Sequence, residues 1–189
     1  MSFLDAILGR SKPVKANEDA LFGLSTGVIT LQTEAGLQPT GSGAITFRPV
    51  SSGDFAQLQR DVNALLQTSA KDSPITWTTQ EDRFGYQWVI LKAGEFENLV
   101  ATIHMIGSEL EDAGYGPQLL AAVFQFKGGK SGTVYWMYNY KRGAFYPFVP
   151  SGSGSRNNAE EMHLSALMSR ELKVEKDLSK WYPLWGIPL

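Results

Sequence analysis

The stretch from Leu119 to Val149 constrains the fold more than any other, because it is dense in β-branched and aromatic residues and is broken only at short turns. Three strands are predicted, over 119–126, 133–140 and 144–149. Lys127-Gly128-Gly129-Lys130-Ser131-Gly132 supplies a hairpin turn between the first two. Successive side chains of a strand point to opposite faces, so Val134, Trp136 and Tyr138 share one face and Tyr135 and Met137 the other. Both faces are apolar. One must be core, and the second lies either under a helix or against a partner, which makes Tyr135 and Met137 candidate partner contacts. Pro147 places the third strand at a sheet edge.

Upstream, strand-like and helix-like periods alternate. Residues 28–33 and 44–49 read as an antiparallel pair joined by the Gly- and Pro-containing stretch 36–43. Phe55, Leu58, Val62, Leu65 and Leu66 recur at helical spacing over 54–67, and strands follow near 75–79 and 86–92. A second amphipathic helix over 95–112 carries Phe96, Leu99, Val100, Ile103, Ile106 and Leu110. At an offset of 41 residues, Gly53-Asp54-Phe55-Ala56-Gln57-Leu58 falls on Gly94-Glu95-Phe96-Glu97-Asn98-Leu99, which suggests two duplicated strand-strand-helix units.

The ends of the chain read differently. Phe3, Leu4, Ile7 and Leu8 form one side of a short amphipathic helix, a candidate contact with a partner or a membrane surface, and a linker with Lys12 and Pro13 follows. Asn17 caps a short helix through about Leu24, and Asn157 caps a last helix with the stripe Leu164, Leu167, Met168 and Leu172. The segment 181–189 is apolar and Pro-rich, and is expected to pack on the body as an irregular strap. The resulting expectation is an α+β fold: an N-terminal segment over 1–16, then one domain over 17–189 whose mainly antiparallel sheet has helices on one face.

Composition excludes several chemistries. The chain has no cysteine, which removes disulfides, thiolate metal sites and a Cys nucleophile. Seventeen basic residues against nineteen acidic ones give a net charge of -2, so no global field favours nucleic acid. No run approaches the roughly 18 to 20 apolar residues of a membrane span, and the N-terminus lacks a secretion-signal pattern. A cytoplasmic location is expected.

Motifs for catalysis fail on inspection. Gly128-Gly129-Lys130-Ser131 lacks the upstream glycine of a phosphate loop, Phe124 standing in its place, and sits between strands rather than before a helix. Glu160 and His163 form one Glu-x-x-His pair, but His104 has Ala101 where a second pair would need a carboxylate. No Gly-x-Ser-x-Gly elbow occurs for a nucleophile that His104 could serve. The expectation is a non-enzymatic protein without metal or cofactor.

The opening Ser2-Phe3-Leu4-Asp5-Ala6-Ile7-Leu8-Gly9-Arg10-Ser11-Lys12-Pro13, with Leu21-Phe22-Gly23-Leu24, Thr30-Leu31-Gln32 and Pro39-Thr40-Gly41-Ser42-Gly43, resembles the PspAB family of phage-shock-protein-A-associated proteins. Val134-Tyr135-Trp136-Met137-Tyr138 and the closing 181–189 are similar in layout. The resemblance implies an accessory or regulatory protein of the envelope-stress system built around the membrane-associated coiled-coil protein PspA, acting by protein contact with it. It carries over no functional residue. A membrane-surface sensor using the N-terminal segment, and an uncharacterised enzyme or small-ligand binder, are the alternatives.

Overall fold

The architecture follows from a six-stranded sheet in which every strand pair is antiparallel. The computed structural model describes residues 18–48, 52–69, 75–152 and 154–189. After a 3-10 turn at Glu18–Leu21, the elements are α1 (Phe22–Glu34), β1 (Leu37–Phe47), α2 (Ser52–Ser69), β2 (Ile75–Glu81), β3 (Gln87–Ala93) and α3 (Phe96–Asp112). The chain continues through β4 (Leu119–Gly128), β5 (Gly132–Asn139), β6 (Ala144–Phe148) and α4 (Asn158–Met168).

The strand order is β2-β3-β1-β4-β5-β6. Helices α2 and α3 make interleaved crossovers, β1 to β2 and β3 to β4, each passing over one intervening strand; this is a split βαβ arrangement extended at one edge by the β5–β6 hairpin. Ile45 sits opposite Val89 on one side and Ala122 on the other. The expected hairpin turn at 127–132 joins β4 to β5, and β6 with Pro147 is the edge strand.

All four helices lie against one face. The core there joins Leu24, Val28 and Leu31 of α1, Val62 and Leu66 of α2, the α3 stripe and Leu164 and Met168 of α4 to Ile45, Phe124, Trp136 and Tyr138 of the sheet. Burial of each such large apolar side chain contributes roughly 1.5–3 kcal/mol before ordering costs. The other face carries a second cluster, with Ala44, Trp88, Ile90, Val123, Tyr135, Met137, Tyr146 and Phe148, covered by Trp181, Leu184, Ile187 and Leu189. The C-terminal segment is thus the strap expected from its composition, and it takes the place of a helical layer.

Two expectations are corrected. Residues 28–33 are not a strand but the second half of α1, so the strand-strand-helix unit expected over 28–67 does not form. Leu24, Val28 and Leu31 recur at helical spacing and are buried, and Gly27 lets α1 approach α4: a Cβ there would lie 2.5 Å from Met168 Cε. Residues 37–43 of the stretch 36–43 are not a turn but the first part of β1, which pairs with β4 from Leu37 and with β3 from Ser42 and absorbs its glycines in a bulge. Gly41 sits at φ 71°, and a Cβ there would lie 2.3 Å from Ala93 O.

Candidate functional site

On the strap-covered face a cleft of about 600 Å³ opens between the β2–β3 turn and the strap, over the ends of β1, β4 and β5. Its first wall is built by one carboxylate. Asp82 Oδ1 accepts hydrogen bonds from Phe84 N at 2.8 Å and Tyr86 N at 3.0 Å, while Oδ2 accepts from Trp88 Nε1 at 3.0 Å. Burial works to raise the Asp82 carboxyl, but the bonds from Trp88, Phe84 and Tyr86, with Arg83 adjacent, outweigh it and hold the group below its ordinary value. Asp82 is therefore ionised and saturated, and its task is to set the turn that projects Phe84.

The opposite wall is the strap, held by three anchors. Trp181 is buried, donates from Nε1 to Glu175 O at 2.9 Å, and stacks on Tyr146. Arg156 binds both carboxylate oxygens of the buried Glu161 through Nε and donates from Nη1 to Trp181 O at 2.7 Å; Glu161 Oε1 also accepts from Val149 N. This network joins β6, α4 and the strap with a buried, fully engaged carboxylate. Finally Tyr146, whose phenol is pushed up by burial and stays neutral, donates to Tyr182 O at 3.0 Å. Behind the strap, Arg142 pairs with Glu175 at 2.7 Å and holds that carboxyl below its ordinary range. Phe145 N also donates to Lys173 O and Glu175 N to Phe145 O, both at 2.8 Å, beside the edge of β6, so the segment entering the strap protects that edge.

The cleft is aromatic inside and cationic outside. Trp88 and Tyr146 are buried in its wall, and Phe84, Tyr182 and Trp185 stand exposed at its mouth. Arg48, Arg83 and Lys141 also line it, against, among the described residues, the single carboxylate of Asp82.

The residues singled out from sequence are scattered relative to this site. Met137 is fully buried and Tyr135 nearly so, within the cluster that the strap closes. Their shared face is interior, occupied by the chain's own C-terminal segment. Phe3, Leu4, Ile7 and Leu8 lie outside the described residues. His104 lies 3.3 Å from Asp19 and against the ring of Phe22, whereas His163 is exposed on α4. Asn157 caps α4 as expected, accepting from Glu160 N. Among the described residues no group of three or more His, Asp or Glu could hold a metal ion, and no helix is long and apolar enough to cross a membrane. Sequence reading missed Arg48, the Asp82–Tyr86 turn, Lys141 and Tyr182 as one site, because no local periodicity links positions so far apart. The one available signal was Trp-rich composition in a Pro-punctuated tail.

Against this geometry stands one comparison that matches the entire chain: the family model for PspA associated protein B covers residues 1–189. The chain belongs to the PspAB family. No curated protein and no solved structure matches it. Among the described residues this PspAB chain is an α+β protein with a six-stranded antiparallel sheet, four helices on one face and a strap-walled aromatic cleft on the other. The family name links it to the phage-shock system.

Proposed function

We propose that this PspAB chain is a non-enzymatic accessory protein of the phage-shock system, acting in the cytoplasm by direct protein contact with PspA. The observation that supports this reading is the exposure of three large aromatic rings around one cleft: Phe84 at 64%, Tyr182 at 50% and Trp185 at 38%. Large aromatic side chains flanked by arginine are the residues that dominate protein interfaces, since they bury much area for few rotatable bonds. Arg83 stacks over Phe84 with its guanidinium carbon 4.7 Å from the ring centre, presenting both together. The test is capture of purified PspA by the immobilised full chain. Wild type retains PspA, and Phe84→Ala with Tyr182→Ala reduces retention by roughly tenfold, as expected for losing about 1.4 kcal/mol of contact. Failure of the wild type to retain PspA overturns the reading.

A further inference from the structure

We propose that the cleft is a binding site for a small organic anion with an apolar body, of the alkyl or aryl phosphate or carboxylate class. The inference does not depend on PspA being the partner.

Charge is the first observation. Arg48, Arg83 and Lys141 line the cleft, and among the described residues none of the three forms an ion pair. Among the described residues the sole lining carboxylate, Asp82, already accepts three hydrogen bonds from its own turn and from Trp88. Two positive charges are left in excess around the mouth of a concave, largely aromatic surface, whose shape focuses their field on an incoming anion.

A second observation lies at the floor. Thr46 is 2% exposed, on the cleft face of β1 by alternation with Ala44, and among the described residues its Oγ1 has no hydrogen-bond partner. An unsatisfied buried hydroxyl is destabilising, and an oxygen of an occupant removes the deficit. Thr46 lines the cleft together with Asn139, whose Oδ1 accepts from Lys141 N and so fixes the start of the lysine's turn.

Size and lining complete the match. A cavity of about 600 Å³ lies within the roughly 300–1,000 Å³ of small-molecule sites, which are mostly apolar with a few polar groups that orient the ligand. The exposed rings of Phe84, Tyr182 and Trp185, backed by Trp88 and Tyr146, would hold the apolar body, and the cations at the rim the head group. A free inorganic anion would leave the aromatic wall unused, and a neutral apolar molecule would leave the cations unused.

The experiment is calorimetric titration of the full chain with octyl phosphate below its micelle concentration, with inorganic phosphate and octyl glucoside as comparison probes. Saturable one-site binding is expected for octyl phosphate, roughly tenfold or more tighter than for either comparison probe. Arg48→Glu with Lys141→Glu, both at exposed positions, should leave the melting temperature unchanged and weaken octyl phosphate by at least about tenfold. Thr46→Val should weaken it several-fold. Competition by phosphatidylglycerol vesicles identifies a lipid head group as the source of the anion, and its absence a soluble anion. No saturable binding, equal binding of octyl glucoside, or binding unchanged in the double variant overturns the proposal. Because PspA capture is measured separately, loss of one activity is distinguishable from loss of the other.

Discussion

Replacing Trp181 by alanine tests whether the strap is part of the folded core or merely rests on it. Trp181 is 5% exposed, its Nε1 donates to Glu175 O at 2.9 Å, and its ring stacks on Tyr146 at 6.3 Å between centroids. Truncation removes an aromatic side chain of roughly 150–250 Å², worth about 4–6 kcal/mol at 25 cal/mol per Å², although measured losses for such changes are nearer 3–5 kcal/mol. Partial collapse of the strap offsets some of the cavity. The expected destabilisation is therefore about 4 kcal/mol, equivalent to a fall in melting temperature of roughly 8–16 °C for a chain of this size. Urea unfolding followed by far-ultraviolet circular dichroism reads it directly. Trp181→Phe keeps most of the apolar area and loses only the donor to Glu175 O, so it should cost about 1–2 kcal/mol. A loss below about 1 kcal/mol for Trp181→Ala would refute the claim that the strap closes the second face. Equal losses in the two variants would show that the hydrogen bond, rather than the buried area, carries the effect.

Acid should weaken the fold through Asp82 and Glu175, both held below their ordinary values of 3.8 and 4.5. For depressed carboxyls the stabilisation is complete above the ordinary value and is lost as pH falls through the lower folded value, so urea midpoints should drop below about pH 4. Asp82→Asn with Glu175→Gln should flatten that dependence, and an unchanged acid slope would contradict it. Gly41→Ala is expected to cost roughly 2 kcal/mol or more, because its φ is positive and the added carbon meets the backbone oxygen of Ala93. Gly27→Ala should be close to neutral, since the obstacle is the end of the Met168 side chain and the helix gains about 1 kcal/mol of propensity; thermal melts of the pair decide. Phe3→Ser with Ile7→Ser separates two roles of the N-terminal segment: a contact element loses PspA or liposome binding at unchanged melting temperature, a segment docked on its own domain lowers the melting temperature, and a variant that melts normally and still binds both removes the contact role.

The hairpin block and α3 were legible in the sequence for a local reason. Alternation through Val134, Trp136 and Tyr138, and the stripe from Phe96 to Leu110, each express one backbone period over enough residues to outweigh single exceptions. In α1 the local signals conflict: Val28-Ile29-Thr30 favours a strand and Gly27 a break. Propensities of a few tenths of a kcal/mol per residue lose there to burial of Leu24, Val28 and Leu31 and to close approach of α4. Similarly Pro39 and Gly41 suggest a turn until pairing with β4 makes their segment the bulged start of a central strand.

The candidate site shows the same division. Sequence alone determined that Tyr135 and Met137 share a face opposite Val134, Trp136 and Tyr138, because alternation is a property of any extended backbone. It also determined that the tail is apolar enough to pack. Only the tertiary structure decided that this tail packs on the second face. Only the tertiary structure brought Arg48, Asp82, Lys141 and Tyr182 around one cleft. Those outcomes depend on which distant surfaces exclude water from each other, a competition among long-range contacts that local periodicity does not encode.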